Sequence, residues 1–201
     1  MGKTLVKIGP ADHGRKMSLE EFEHAEVQEG YLYELSRGII TVSDVPHRRH
    51  MLLVAATRDQ LQDYKSLNRG RIHIIASGSE CKLLIPTFDS ERHPDLAVYL
   101  TEPPPIEDAS LWQHWFPEIV IEVVSPSSRK RDYEEKPDEY LRRGAREYWV
   151  IDPRKRALVV MRRTRNRWTE SLVRPPAIPR TRLLPGLEFS CGAVFEAAGL
   201  S

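Results

Sequence analysis

Glu122 is the one acid inside Ile119-Val120-Ile121-Glu122-Val123-Val124, an otherwise β-branched run. Such a run predicts a strand buried on both faces. A carboxylate there loses its hydration and requires a cation, a metal ion or a proton. Asp95 opens a second predicted strand directly after Pro94. Two carboxylates at neighbouring strand ends repel unless a hard divalent cation lies between them. Mg²⁺ suits that position, since it takes one or two carboxylates and keeps several waters. Taken singly, each acid reads more simply as half of a structural salt bridge.

Asp132, Lys136 and Tyr140 recur at four-residue steps, which stacks them on one helical face. Lys136 can then project towards the end of the Glu122 strand, a short turn upstream. An ammonium there orients an attacking water and stabilises charge developing on phosphorus. The plainer alternative is a surface Asp-Lys pair contributing a few tenths of a kcal/mol. Pro137 complicates the geometry, because the residue before a proline is pushed away from helical dihedrals. Either the helix starts with Pro137 in its first turn or it bends there.

These side chains need a scaffold. Residues 1–16 show no periodicity and are expected to form a flexible tail ahead of a single domain over 17–201. Ser18-Leu19-Glu20-Glu21 is a capping box that starts a helix ending near Gly30. Strands are predicted at Tyr31–Leu35 and Ile39–Val42 around the turn Ser36-Arg37-Gly38. A long amphipathic helix follows Pro46 and stops at Gly70. Strands over 71–76 and 81–85 flank Ser77-Gly78-Ser79, and another covers 95–100. The proline-rich stretch 102–108 reads as a surface connector. After the Glu122 strand come a helix over about 131–143, a strand over 147–151, a hairpin of 157–163 with 168–173, and a short C-terminal element over 192–198. Asp152 before Pro153 is a turn former. Trp149 reads as a core or dimer-interface residue. Together the elements predict an α/β domain with a mixed sheet and the long helix on one face.

Composition narrows the class. The apolar share of 40% and charged share of 29% are ordinary for a globular domain. No apolar run is long enough to cross a bilayer, and Met1 to Pro10, with lysines but no apolar stretch before a small-residue cleavage site, is not expected to act as a secretion signal. Cys81 and Cys191 match no metal-ligand spacing and read as reduced, buried thiols, so a cytoplasmic location is expected. The net charge of +1 hides an uneven distribution: residues 129–182 hold 17 Lys/Arg against 8 Asp/Glu. A basic half of that kind either attracts a polyanion or is simply a solvated surface. Ser125, Ser127 and Ser128 have no accompanying His-Asp constellation, which speaks against a serine nucleophile.

The chain resembles the Uma-type restriction endonucleases, a branch of the PD-(D/E)XK nuclease superfamily. The likeness rests on Tyr33-Glu34-Leu35 with Gly38, His50 at the head of the long helix, Pro94-Asp95, and Ile121 through Pro126. It continues through Asp132, Lys136, Tyr140, Gly144, the stretch Glu147 through Pro153, and Leu184-Pro185-Gly186-Leu187. The resemblance implies a restriction-endonuclease-like core with a central mixed β-sheet flanked by helices. It implies that Asp95 and Glu122 bind Mg²⁺ or Mn²⁺, with Glu34 as a third carboxylate, and that Lys136 is catalytic. The superfamily pattern carries its lysine two residues after the glutamate; here that position is Val124, and Lys136 on the following helix takes the role. His50 is expected to meet a phosphate or a metal-bound water, or else to cap its helix. Asp132 is expected to support the lysine, and Tyr140 either to steady it or a substrate phosphate or simply to pack in the core.

Two functions follow. One is a metal-dependent endonuclease, a hydrolase acting on phosphodiester bonds, with DNA as the expected substrate and a homodimer as the expected assembly. The other is a catalytically inactive nuclease-fold homodimer serving as a nucleic-acid-binding or assembly module, with Glu122 salt-bridged rather than metal-bound.

Overall fold

The computed structural model describes residues 6–107 and 111–200. Residues 1–5 of the expected tail and Asp108 of the connector lie outside the described residues. In chain order the elements of the first half are β1 (Lys7–Ile8), α1 (Leu19–Glu23), β2 (Glu26–Val27), β3 (Tyr31–Ser36), β4 (Ile39–Asp44), α2 (Arg48–Leu67), β5 (Ile74–Ala76), β6 (Leu83–Ile85), β7 (Ser90–Arg92) and β8 (Leu96–Tyr99). There follow α3 (Leu111–His114), β9 (Ile119–Val123), a π-helical turn over Arg131–Glu135, α4 (Lys136–Arg143), β10 (Glu147–Asp152), β11 (Ala157–Thr164), β12 (Arg167–Val173) and α5 (Cys191–Ala197).

The chain divides into two compact units, the first made of Met1–Pro46 with Lys82–His93 and the second of His47–Cys81 with Pro94–Ser201. In the first, a four-stranded sheet runs β4-β3-β7-β6, and β1 pairs with β2 in parallel. The capping box forms as expected: Glu21 N–H donates to Ser18 Oγ, and Ser18 N–H donates to Glu21 Oε2. The helix it starts ends at Glu23, short of Gly30, because the next residues are drawn into β2. Part of the expected tail is therefore a strand. Ile8 is buried in one cluster with Met17, Phe22, Tyr33, Leu35 and Ile40, and burying such a side chain contributes about 1.5–3 kcal/mol. β3 turns into β4 through Arg37 and Gly38, both at positive φ, the backbone that lets a two-residue turn follow strand twist.

The second unit is built on a six-stranded sheet in the order β12-β11-β10-β9-β8-β5. β9 and β10 are parallel and every other pair is antiparallel, so the sheet is mixed. On one face, Leu53, Leu61 and Tyr64 of α2 and Val194 and Phe195 of α5 pack on Leu96, Val98, Ile119, Ile121, Trp149 and Val160. Trp149 is thus a core residue, its indole N–H donating to Glu147 Oε2. Tyr140 of α4 meets Tyr148 of β10 edge-on. β5 and β6, which flank the 77–79 turn, do not pair with each other; β5 joins β8 and β6 joins β7. Cys81 and Cys191 are buried and form no disulfide, and burial pushes the Cys81 thiol up to about 12. No helix among the described residues is long and apolar enough to cross a membrane.

Candidate active site

Antiparallel pairing of β8 with β9 sets Leu96 opposite Ile121, so Asp95, one residue earlier, lies across from Glu122. Each acid reaches the backbone of the other's strand. Val123 N–H donates to Asp95 Oδ2 at 2.7 Å, and Asp95 N–H points at Glu122 Oε2 at 3.4 Å. Glu122 is 3% exposed. The two acids predicted to act together are brought together.

Lys136 closes on the same point. Its ammonium, on a residue 4% exposed, lies 2.9 Å from Glu122 Oε1 and 3.1 Å from Asp132 Oδ1. The Tyr140 hydroxyl donates to Glu122 Oε1 at 2.7 Å, and Ser128 Oγ donates to Asp132 Oδ2 at 2.5 Å. Of the two placements weighed for the Asp-Lys pair, the buried one is found.

Pro137 does not displace Lys136. The chain widens into a π turn over Arg131–Glu135, and Lys136 N–H donates to the Arg131 carbonyl five residues back. The regular helix starts at Lys136 with Pro137 in its first turn, where a missing N–H costs nothing. Lys136 itself keeps helical dihedrals, φ −59° and ψ −36°. π turns of this kind recur at functional sites because they re-aim side chains.

His50, in the first turn of α2, donates through Nε2–H to Asp95 Oδ1 at 2.8 Å. Burial alone would lower its pKa, but the bond to Asp95 and the charges of Asp95, Glu122 and Asp132 raise it overall. It orients the carboxylate rather than capping the helix; His47 holds the cap position, without a side-chain bond. Glu34 belongs to the first unit, where its carboxylate accepts from His93 N–H at 3.2 Å and pairs with the buried Arg92 at 3.4 Å.

Other supports were not singled out from sequence. Ser128 holds Asp132, and Tyr148 anchors the π turn by donating to the Asp132 carbonyl. Asp152 forms its turn by accepting from the N–H groups of Arg154 and Lys155, and it also accepts from Arg129 and from Tyr133 inside the π turn. The Asp-Pro pair signals only the first of these duties.

Whether the donors fit a divalent cation turns on their charge and number. Glu122 and Asp132 share the Lys136 ammonium and Asp95 meets His50, so the three carboxylates outnumber these two groups and leave an excess of negative charge with His50 protonated or neutral. Among the described residues no group of three His, Cys, Asp or Glu side chains is disposed to share a metal ion. Two carboxylates completed by water suit Mg²⁺, which binds in that manner. Val124, at the lysine position of the usual superfamily pattern, is buried and inert.

Three comparisons bear on this arrangement. The family model described as "Uma2: Putative restriction endonuclease" matches residues 19–192. A solved structure described as a "putative nuclease belonging to DUF820" from Anabaena variabilis superposes with a TM-score of 0.70 at 19% identity, covering 90% of this chain and 99% of that one. At that identity the likeness concerns the fold. No curated protein matches the chain.

Proposed function

The chain belongs to the family described as Uma2, putative restriction endonuclease, and on that premise we propose that it is a divalent-metal-dependent endonuclease acting on DNA. The observation that carries this reading is Glu122, a buried carboxylate facing Asp95 across the strands and held by both Lys136 and Tyr140.

Asp95 and Glu122 would hold Mg²⁺ or Mn²⁺. When bound, such an ion polarises a phosphoryl oxygen and lowers the pKa of a water. The chain's own residues do the rest. The Tyr140 bond to Oε1 leaves Glu122 Oε2 facing Asp95. His50 and the Val123 N–H fix the two oxygens of Asp95. Asp132, itself held by Ser128, keeps the Lys136 ammonium in place beside Glu122. From there Lys136 donates to an attacking water and to charge developing on the phosphate. Two copies acting together would cut both strands.

Incubation of supercoiled plasmid with Mg²⁺ or Mn²⁺ tests the reading. Nicking is expected, with loss of about 10²-fold or more in Glu122→Gln at unchanged fold. Absence of both cleavage and calorimetric metal binding would overturn it. A second reading, the inactive binding module, draws on the same 2.9 Å contact, since Lys136 already neutralises Glu122. Metal titration separates the two.

A further inference from the structure

Two groups of the cations in residues 129–182 lie at opposite ends of the six-stranded sheet. β9 and β10 run parallel with Glu122 beside Val150, so the C-terminal end of β10 lies at the same end as the Asp95–Glu122 pair. The turn leaving β10 carries Arg154, Lys155 and Arg156, all exposed. Arg129 joins them through Asp152 at 2.9 Å, and exposed Lys130 follows it in sequence. At the other end, Arg163, Arg165 and Arg167 form the tip of the β11–β12 hairpin.

The first group is pre-organised. Asp152 is fully buried and accepts the N–H groups of Arg154 and Lys155, which fixes the turn backbone. Lys155 Nζ and the Arg129 guanidinium lie 4.4 and 5.2 Å from the centroid of the Tyr133 ring. Among the described residues no carboxylate pairs with Lys130, Arg154 or Arg156. Two residues along β10 and one strand across put Asp152, which anchors this ridge, roughly 8 Å from Glu122. The ridge thus begins within a few steps of a nucleic-acid strand, at ~3.4 Å each, from the carboxylate.

Resting on the reading of a phosphodiester substrate, we propose that Arg129, Lys130, Arg154, Lys155 and Arg156 form the track for the nucleic-acid backbone beside the cleavage site, and that the arginines of the β11–β12 tip do not. A flexible acidic protein segment would fit the charge, but not the ridge's position next to the carboxylate–lysine cluster.

The test is binding of a labelled DNA duplex by the full chain in EDTA, followed by anisotropy from about 50 to 200 mM salt. The variant Arg154→Gln/Lys155→Gln/Arg156→Asn keeps the turn's N–H groups and gives Arg156, at φ +46°, a residue tolerant of that backbone. Its salt slope is expected to fall by about 3, roughly one per lost phosphate contact, with affinity weakened about tenfold or more. The variant Arg163→Gln/Arg165→Asn/Arg167→Gln removes equal charge and is expected to leave the slope within about 1 of the original. Thermal melts establish that both remain folded. Equal effects of the two triples, no effect of the first, failure of the unaltered chain to bind, or equal competition by polyglutamate would each overturn the proposal. Because no metal is present, the outcome is independent of cleavage. A ridge effect without metal-dependent nicking keeps the ridge and removes the nuclease reading; nicking with an unaffected ridge variant does the reverse.

Discussion

The Lys136 ammonium sits 2.9 Å from Glu122 Oε1, although Lys136 begins α4 and Glu122 lies inside β9. The contact is possible because the π turn carries the chain back over the end of the strand it has just left. It puts a cation beside the strand glutamate where Val124 offers none.

Removing that cation should separate charge compensation from chemistry. Lys136→Met leaves Glu122 and Asp132 buried against no ammonium, which costs about 3–5 kcal/mol. The melting temperature in EDTA should fall sharply. Mn²⁺ should recover more of it than it adds to the unaltered chain, because a divalent ion supplies the missing positive charge. Nicking should stay at least about 10²-fold down even with the ion present. Melting curves with and without Mn²⁺, set beside nicking rates, check this; equal Mn²⁺ increments for both chains would count against a metal at Asp95 and Glu122.

Tyr140→Phe is the milder change. The ring remains packed on Tyr148, and one hydrogen bond to Glu122 Oε1 is lost, costing about 1–2 kcal/mol. A partner that orients a metal-binding carboxylate matters more to the ion than to the fold. Mn²⁺ affinity should therefore weaken about 10–100-fold by calorimetry. A loss of stability with unchanged affinity would make Tyr140 a packing residue alone.

The meeting of Asp95, Glu122, Lys136 and Tyr140 was legible because each signal is local: an acid breaking an apolar strand, another opening a strand, and a four-residue step on a helix. What was not legible depends on longer-range pairing. Ser90-Glu91-Arg92 shows no apolar alternation, yet it is a buried strand because Glu91 pairs with Leu35 and Leu84 across the first unit's sheet. That pairing also places 82–93 in the first unit, while its neighbours in sequence belong to the second. The π turn leaves no separate periodic mark, since the four-residue steps of Asp132, Lys136 and Tyr140 read as ordinary helix. Pro137 looked like an obstacle for the same reason, and the wider turn upstream removes it.

Asp152 links the β10 end to the π turn, and its contribution to stability should be lost in acid. Burial alone would raise this carboxyl, but the Lys155 N–H, the Tyr133 hydroxyl and the Arg129 guanidinium hold it below the usual aspartate range. A depressed carboxyl stabilises the fold above its unfolded value of about 3.9 and loses that contribution as pH falls through the folded value. Asp152→Asn should thus be less stable by about 2–3 kcal/mol near neutrality, with the gap closing below about pH 4. Urea unfolding across that range measures it; a gap independent of pH would show that the charge is not what matters.

Glu147, at the opposite end of the same strand, should behave in the contrary sense. Burial raises its carboxyl, and the bonds from Trp149 Nε1 and Thr181 Oγ1, with Arg162 and Arg146, offset only part of that. A raised carboxyl binds its proton more tightly in the folded chain, so stability declines as pH climbs from the unfolded value of about 4.3 through the folded one. Glu147→Gln keeps an oxygen for one of the two donors and carries no charge to bury. Its stability relative to the unaltered chain should therefore improve across that window and level off above it. If urea unfolding instead shows the variant losing ground as pH rises, the Arg162 pairing at 3.9 Å outweighs the burial cost.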